Sequence, residues 1–349
     1  MTAPLPDPAD LPWLGRASLF ASGRDALAAL VGFGARRSGW RRVWLPSYNC
    51  PEVPAALIAA AGGDLTLRAY PDADLLAPPD LDALPAEPGD VVVVVNQLGV
   101  RPRPDITRAR RRGAVVVEDH SHDPWSAWAL GSEADYAVAS LRKTLPIPDG
   151  GAAWSPLGRD LPPEPGSLPS TAGERRARDL AAALDARGGR AAGDGRLRFR
   201  ALARAAALAG SGEPMPGGTI SPVSRALLAQ MPGRAWRERR RQNLSILADA
   251  IPPAAGVEVL RAPAGGVAFA LSLVFGDVAA RASAQRALVE RAVVPAVLWP
   301  LDPARDWGAG AADADLSGRI LSVHGDQRFD AGDMRRLAAI LQEALDPTP

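Results

Sequence analysis

At 349 residues the chain is long enough to bury a sizeable core, either in one large domain with an appendage or in two moderate domains. A formal charge of +1 gives no electrostatic case for nucleic acid or an anionic membrane as a partner. The single cysteine, Cys50, excludes an intrachain disulfide framework and a multi-thiolate metal site, and it fits a reducing cytoplasm.

Met1 to Pro12 shows no basic segment followed by an apolar stretch, so no signal peptide is expected. No run approaches the ~18 apolar residues of a membrane span. Residues 1–20 read as a proline-rich arm. Ser22-Gly23-Arg24-Asp25 then opens a helix running through Val31, with Ser22 as N-cap and Asp25 at the capping-box position. Such a start is a plain cap or an anion site, depending on whether a phosphate is supplied. Val43-Trp44-Leu45 reads as a short buried strand leading into Pro46-Ser47-Tyr48-Asn49-Cys50-Pro51 and a helix over 52–61. A strand follows at 65–68. The five valines Val91 to Val95 suit a strand buried on both faces of a parallel sheet, and it ends at Asn96-Gln97-Leu98-Gly99. A helix near 105–112 precedes the strand 114–117, which runs into Glu118-Asp119-His120-Ser121-His122-Asp123. Residues 137–141 and 151–154 are strand-like, and Lys143 follows the first of them.

Strands alternating with helices, with polar residues massed past the strand ends, describe an open α/β sheet. Ligands bind such sheets at the carboxyl ends of the strands. This reading puts Tyr48, Asn96, Asp119, His122 and Lys143 on one sheet edge. From 155 to 218 the chain is rich in Pro, Gly, Ala and Arg, with helices expected at 172–187 and 198–209. A long amphipathic helix over 234–250 leads to a second unit. That unit has a strand near 267–275, a helix over 278–291, a segment 294–300 containing Trp299, a strand 320–323, and a closing helix capped by Asp330 and Asp333. The arginine runs at 108–112 and 237–241 read as solvated helix faces. The expected division is an arm (1–20), a large α/β domain (21–232) and a small α+β domain (233–349).

Lys143 is the only lysine among 40 basic residues. Arginine replaces lysine wherever a solvated charge is wanted, but it cannot lose its proton and so cannot serve as an amine nucleophile. A sole retained lysine is either drift or amine chemistry, most commonly a Schiff base with a carbonyl compound or pyridoxal phosphate. Three neighbours fit that cofactor. Asp119, at the end of a buried strand, can pair with a pyridine nitrogen; Ser140 can donate to a phosphate; the helix start at Ser22 to Arg24 offers backbone N–H groups to the same phosphate. Two other chemistries find less in the sequence. Asp119-His120-Ser121-His122-Asp123 starts like a metallo-hydrolase motif, but the trailing Asp-His pair is missing and only His324 remains elsewhere. Cys50 as a thiol nucleophile has no supporting partner pattern.

The order of these segments resembles the fold-type I pyridoxal-phosphate enzymes, in particular the DegT/StrS group that aminates sugars and related carbonyl compounds. The resemblance covers most of 20–155 and, more loosely, 320–345. It implies a mixed, mostly parallel sheet in a large domain with a smaller C-terminal α+β domain. It also implies pyridoxal 5'-phosphate as cofactor and transamination between a small amino donor and a keto or aldehyde acceptor. In this likeness Asp119 pairs with the ring nitrogen, His122 touches the ring hydroxyl, and Ser140 with the Ser22-Gly23-Arg24 turn holds the phosphate. Lys143 is the Schiff-base lysine and proton shuttle, and Tyr48, Cys50 and Asn96 line the cofactor. Cys50 stands where many members place a Trp or Phe against the ring. Ser140 and Lys143 are three apart, where the sugar aminotransferases usually space them five apart. Arg328 is the candidate for a substrate carboxylate, with Trp299 beside the substrate. Neither metal, nucleic acid nor membrane enters this expectation, which is a cytoplasmic homodimer with shared active sites. The same scaffold also serves pyridoxal-phosphate lyases, cyclases and decarboxylases, and non-catalytic binding relatives.

Overall fold

The computed structural model describes residues 11–61, 65–166, 178, 182, 218–252 and 255–345. The helix expected over 198–209 lies outside the described residues, as does nearly all of that expected over 172–187. Seven strands, β1 (Ser18–Phe20), β2 (Arg42–Pro46), β3 (Thr66–Tyr70), β4 (Asp90–Val95), β5 (Val115–Asp119), β6 (Tyr136–Ser140) and β7 (Gly151–Trp154), make one mixed sheet in the order β1-β7-β6-β5-β4-β2-β3. Three more, β8 (Val257–Leu260), β9 (Leu271–Phe275) and β10 (Ile320–Val323), make an antiparallel sheet in the order β10-β9-β8. The described helices are α1 (Gly23–Ser38), α2 (Glu52–Ala61), α3 (Thr107–Arg111), α4 (Ala127–Leu130), α5 (Leu141–Thr144), α6 (Pro222–Leu228), α7 (Gly233–Asp249), α8 (Val278–Glu290), α9 (Ala311–Arg319) and α10 (Ala331–Leu345). None of them is long and apolar enough to cross a membrane. The chain divides into two compact units that interleave in sequence: up to 41, 52–65 and 133–231 in the first; 42–51, 66–132 and 232 onward in the second.

In the first unit β7 runs antiparallel to both β1 and β6. Helix α1 packs on β6, β7 and α2 through Ala26, Leu27, Leu30 and Val31, all buried. Its N-terminus forms where the sequence predicts. Ser22 is extended (φ −150°), and its Oγ accepts the Asp25 N–H. Its C-terminus is set by Gly39, left-handed at φ 66°. Gly34 is required by packing, since a Cβ there would lie 2.1 Å from the Trp40 indole.

In the second unit β2, β3, β4 and β5 are parallel. Val91 to Val95 are all at most 4% exposed, as their unbroken apolar run requires of a strand covered on both faces. Parallel register brings the strand ends together: Pro46 lies opposite Tyr70, Val95 opposite Asp119, and Asn96 N–H donates to Asp119 O at 2.9 Å. The second sheet packs with α7, α8 and α10 around Leu244, Leu247, Leu273, Leu288, Leu321 and Leu341.

Arg101, 1% exposed, links two of these strand-end loops. It lies 2.7 Å from the Asp72 carboxylate and donates to Ala77 O and Asp74 O at 3.1 and 3.3 Å. Burial pushes the Asp72 carboxyl up to about 7, against the pull of Arg101. Because Asp72→Ala leaves a buried guanidinium without its countercharge, it is expected to destabilise the fold by about 3–5 kcal/mol. Urea denaturation measures this, and a loss under 1 kcal/mol, the usual scale of exposed pairs at ~0–1 kcal/mol, would refute it.

Candidate active site

The first unit brings the start of α1, the end of β6 and the start of β7 together beside the sole lysine. Ser140 ends β6 and Lys143 follows three residues later on the single turn of α5, which Pro146 prevents from continuing. That spacing puts Ser140 and Lys143 on neighbouring positions of one turn. Leu141, Thr144 and Leu145 around them are buried, while Lys143 is half-buried. The start of α1 presses directly on this turn. A Cβ at Gly23 would lie 2.9 Å from the Ser140 Cβ, and a Cβ at Gly151 would lie 2.0 Å from the Ser22 carbonyl oxygen. Three backbone segments therefore converge where no side chain fits, with a helix N-terminus pointing into the convergence. A helix N-terminus favours an anion at its exposed N–H groups.

Charges of both signs surround this convergence. Arg24 forms an ion pair with Glu52, and Arg142 stands beside Lys143 in the sequence. Burial raises the Asp25 carboxyl despite hydrogen bonds from Ser22 and the pull of Arg24 and Arg142. The loop that follows Lys143 is tied down by Asp149, 5% exposed, whose carboxylate accepts from Ser221 N, Ser221 Oγ at 2.8 Å, and Ser224 Oγ. Substituting Gly151→Ala should force the α1 N-terminus off β7. The expected cost is about 1–3 kcal/mol of overpacking, together with weaker phosphate binding, read by thermal unfolding and by titration with inorganic phosphate. Unchanged stability and affinity would show that the convergence is not a cradle.

The second unit gathers Tyr48, Asn96, Asp119 and His122 at the carboxyl edge of its parallel strands. Asp119 closes β5, and its Oδ1 accepts the Ser121 N–H at 2.8 Å, which orients the carboxylate. His122, 2% exposed, accepts the Leu98 N–H at Nδ1 (3.0 Å), and its ring lies 5.0 Å from Phe269 and 6.3 Å from Trp299. Nδ1 also lies 3.4 Å from Asn96 O, a longer contact than that from Leu98 N–H; with Nδ1 accepting the shorter bond, the ring proton belongs on Nε2. The side-chain oxygens of Asn96 and Gln97 are buried and make no hydrogen bond, while Gln97 Nε2 donates to Tyr48 O.

The remaining expected site residues have the following partners. The Tyr48 hydroxyl donates to Leu298 O at 2.6 Å and accepts from Trp299 N at 3.0 Å, and Ser317 Oγ donates to Trp299 O at 2.7 Å. Tyr48 thus fixes the backbone that displays Trp299. Cys50 is half-buried, and its N–H donates to Asn49 Oδ1. Arg328 grips Asp326 through two hydrogen bonds of 2.8 and 2.6 Å, and its side chain is 65% exposed. Despite its burial, Asp326 is held below the usual carboxylate range by Arg328. His120 turns to the opposite face of β5 from Asp119, where it pairs with Glu118 at 3.0 Å. Among the described residues no group of three or more His, Cys, Asp or Glu could hold a metal ion. Sequence reasoning passes over Phe269 and His324, whose rings meet edge-on at 5.7 Å. Neither carries a local motif. Burial keeps the His324 imidazole below its ordinary pKa, which favours the neutral ring.

No protein-family model matches the chain, and a search of curated proteins finds no match. Solved structures do resemble it. A DegT DnrJ EryC1 StrS aminotransferase from Brucella abortus superposes with a TM-score of 0.61 at 16% identity, over 95% of this chain and 86% of that one. DesI, solved in the presence of its TDP-sugar product, gives a TM-score of 0.61 at 19% identity over 94% of this chain and 80% of DesI. S. venezuelae DesV, in complex with a ketimine intermediate, gives 0.60 at 16% identity over 95% and 85%. Across nearly its whole length, then, this chain has the fold of these aminotransferases.

Proposed function

We propose that the chain is a pyridoxal-phosphate-dependent aminotransferase that moves an amino group from a small donor to a keto or aldehyde carbon of a sugar-type acceptor. The observation that carries this reading is the side-chain-free cradle between Ser22-Gly23, Ser140 and Gly151, one helical turn from the sole lysine. The residues present fit the cofactor. The cradle and Ser140 would take its phosphate, Lys143 Nζ its aldehyde carbon, Asp119 its ring nitrogen, and the Nε2–H of His122 its ring oxygen. Bound there, pyridoxal phosphate supplies an electron sink for the carbon that loses a proton.

The protein's own part is positioning and proton transfer. Lys143 Nζ would take the donor's α-proton, for which it must be neutral. Asp119, oriented by the Ser121 N–H, would hold a proton on the ring nitrogen. Asn96 and Gln97 bring unpaired amide oxygens to the same strand edge as Asp119. The sugar-type acceptor rests on the likeness to DesI and DesV, and the homodimer with shared sites and the cytoplasmic location rest on the family resemblance and the single cysteine. The division into a large domain (21–232) and a small one (233–349) belongs to the same reading.

Amino donors added one at a time to the protein loaded with pyridoxal phosphate test the reaction class. Accumulation of the cofactor's amino form, discharged on adding a keto sugar, is the expected result. Release of ammonia or carbon dioxide without that form would make the chain a lyase or decarboxylase instead.

A further inference from the structure

His122 belongs to a closed circuit of hydrogen bonds within the second unit. Its Nδ1 accepts the Leu98 N–H. Leu98 can aim that N–H because its backbone is left-handed (φ 52°) and is followed by Gly99 at φ 69°. For a leucine this conformation is costly and persists only where neighbours hold it. The neighbour is the segment 263–269: Phe269 N–H donates to Leu98 O at 2.7 Å, and Val267 O lies so close that a Cβ on Gly99 would come within 2.5 Å of it. That segment is held in turn by Asp123, the residue after His122. Asp123 is 1% exposed, and its Oδ2 accepts Val267 N–H at 2.8 Å. Arg237, on α7, grips both Asp123 oxygens at 2.9 and 2.8 Å and donates to Gly265 O at 2.7 Å. The circuit returns to His122 across a single peptide bond.

We propose that the Asp123–Arg237 pair is a positioning device that locks His122 as its Nε2–H tautomer, so that this ring accepts through Nδ1 and donates through Nε2. The guanidinium fork suits this role because two parallel hydrogen bonds fix direction as well as distance. If the fork is lost, segment 263–269 is freed, Leu98 no longer has a reason to stay left-handed, and Nδ1 loses its donor. The inference deepens the functional reading and rests on it only for the identity of the acceptor, the ring oxygen of pyridoxal phosphate. The lock itself is a property of the unloaded chain.

Nitrogen NMR on the unloaded, histidine-labelled protein tests it, with the His122 signal assigned by its absence from a His122→Gln sample. The parent should show an unprotonated, hydrogen-bonded Nδ1 and a protonated Nε2. Arg237→Lys keeps the charge and removes the fork; it should add a visible Nδ1–H population and speed exchange of the Leu98 amide at least about tenfold, since local opening sets that rate. In the loaded enzyme it should lower kcat by roughly tenfold to a hundredfold while KM for the donor stays within a few-fold, as misplacement of a positioned group does. Should Arg237→Lys not fold, the pair Asp123→Asn with Arg237→Gln, which buries no lone charge, is read in the same way. A proton on Nδ1 in the parent overturns the proposal, as does a variant that keeps both the tautomer and the Leu98 protection. A parent that shows the lock but takes up no pyridoxal phosphate removes the functional reading and leaves the lock standing.

Discussion

Lys143→Ala should abolish turnover, and Lys143→Arg should do nearly the same, each by about 10³-fold or more, because both the nucleophilic amine and the base are lost. The arginine variant is the sharper test. It keeps a positive charge at this position, so any loss it shows is a loss of deprotonation and not of electrostatics. Neither change should cost much stability, since Lys143 is half-buried on a one-turn helix whose core contacts come from Leu141, Thr144 and Leu145; surface changes of this kind stay within about 0.5 kcal/mol. The chain's composition makes the covalent test clean. With one lysine present, borohydride reduction of the loaded parent should fix a single pyridoxyl group on the Lys143 peptide, the chain's N-terminal amine being the one competitor. Turnover by the arginine variant at the parental rate, or a reduced parent labelled only at its N-terminus, would take the amine out of the mechanism.

What the sequence made legible follows from how local each feature is. The valines of β4, the Ser22 cap of α1 and the strand–loop junction at Asp119 are written in consecutive residues, and the structure has each of them in place. Two short elements were not readable. β1 and β8 have three and four residues, and β8 is only partly buried, so its pattern is weak. The one turn of α5 was hidden for the same reason: sequence puts Lys143 after a strand, and only the structure shows that Ser140 caps a helical turn there. Arg328 illustrates a different blindness. Its residue type suits a carboxylate ligand, and that Nε and Nη2 hold Asp326, two positions away, needs coordinates. The Asp123–Arg237 pair joins residues 114 apart, and no local pattern announces a partner at that distance. Gly23 was legible as a glycine near a site, but the reasons for Gly23 and Gly151, the close approach of Ser140 to the first and of the Ser22 backbone to the second, need coordinates.

Asp119→Asn should retain the fold and most of the affinity for the phosphate while losing about 10²–10³-fold in turnover, about 3–4 kcal/mol of activation free energy. Asparagine is isosteric, and its amide oxygen can still accept the Ser121 N–H that Asp119 Oδ1 takes at 2.8 Å; the register between Val95 and Asp119 is a backbone matter that the change does not touch. What it lacks is the negative charge that would keep a proton on the ring nitrogen, and without that proton the ring is a poor electron sink. The defect should therefore sit in proton removal and not in binding. A donor deuterated at its α-carbon should show a larger kinetic isotope effect in the variant than in the parent, with the pyridoxal phosphate dissociation constant changed by less than about tenfold. His122→Gln, which can still donate a hydrogen bond, should lose far less. If Asp119→Asn turned over at the parental rate with an unchanged isotope effect, the strand-end carboxylate would have no part in activating the ring, and the electron sink would have to be served by another group.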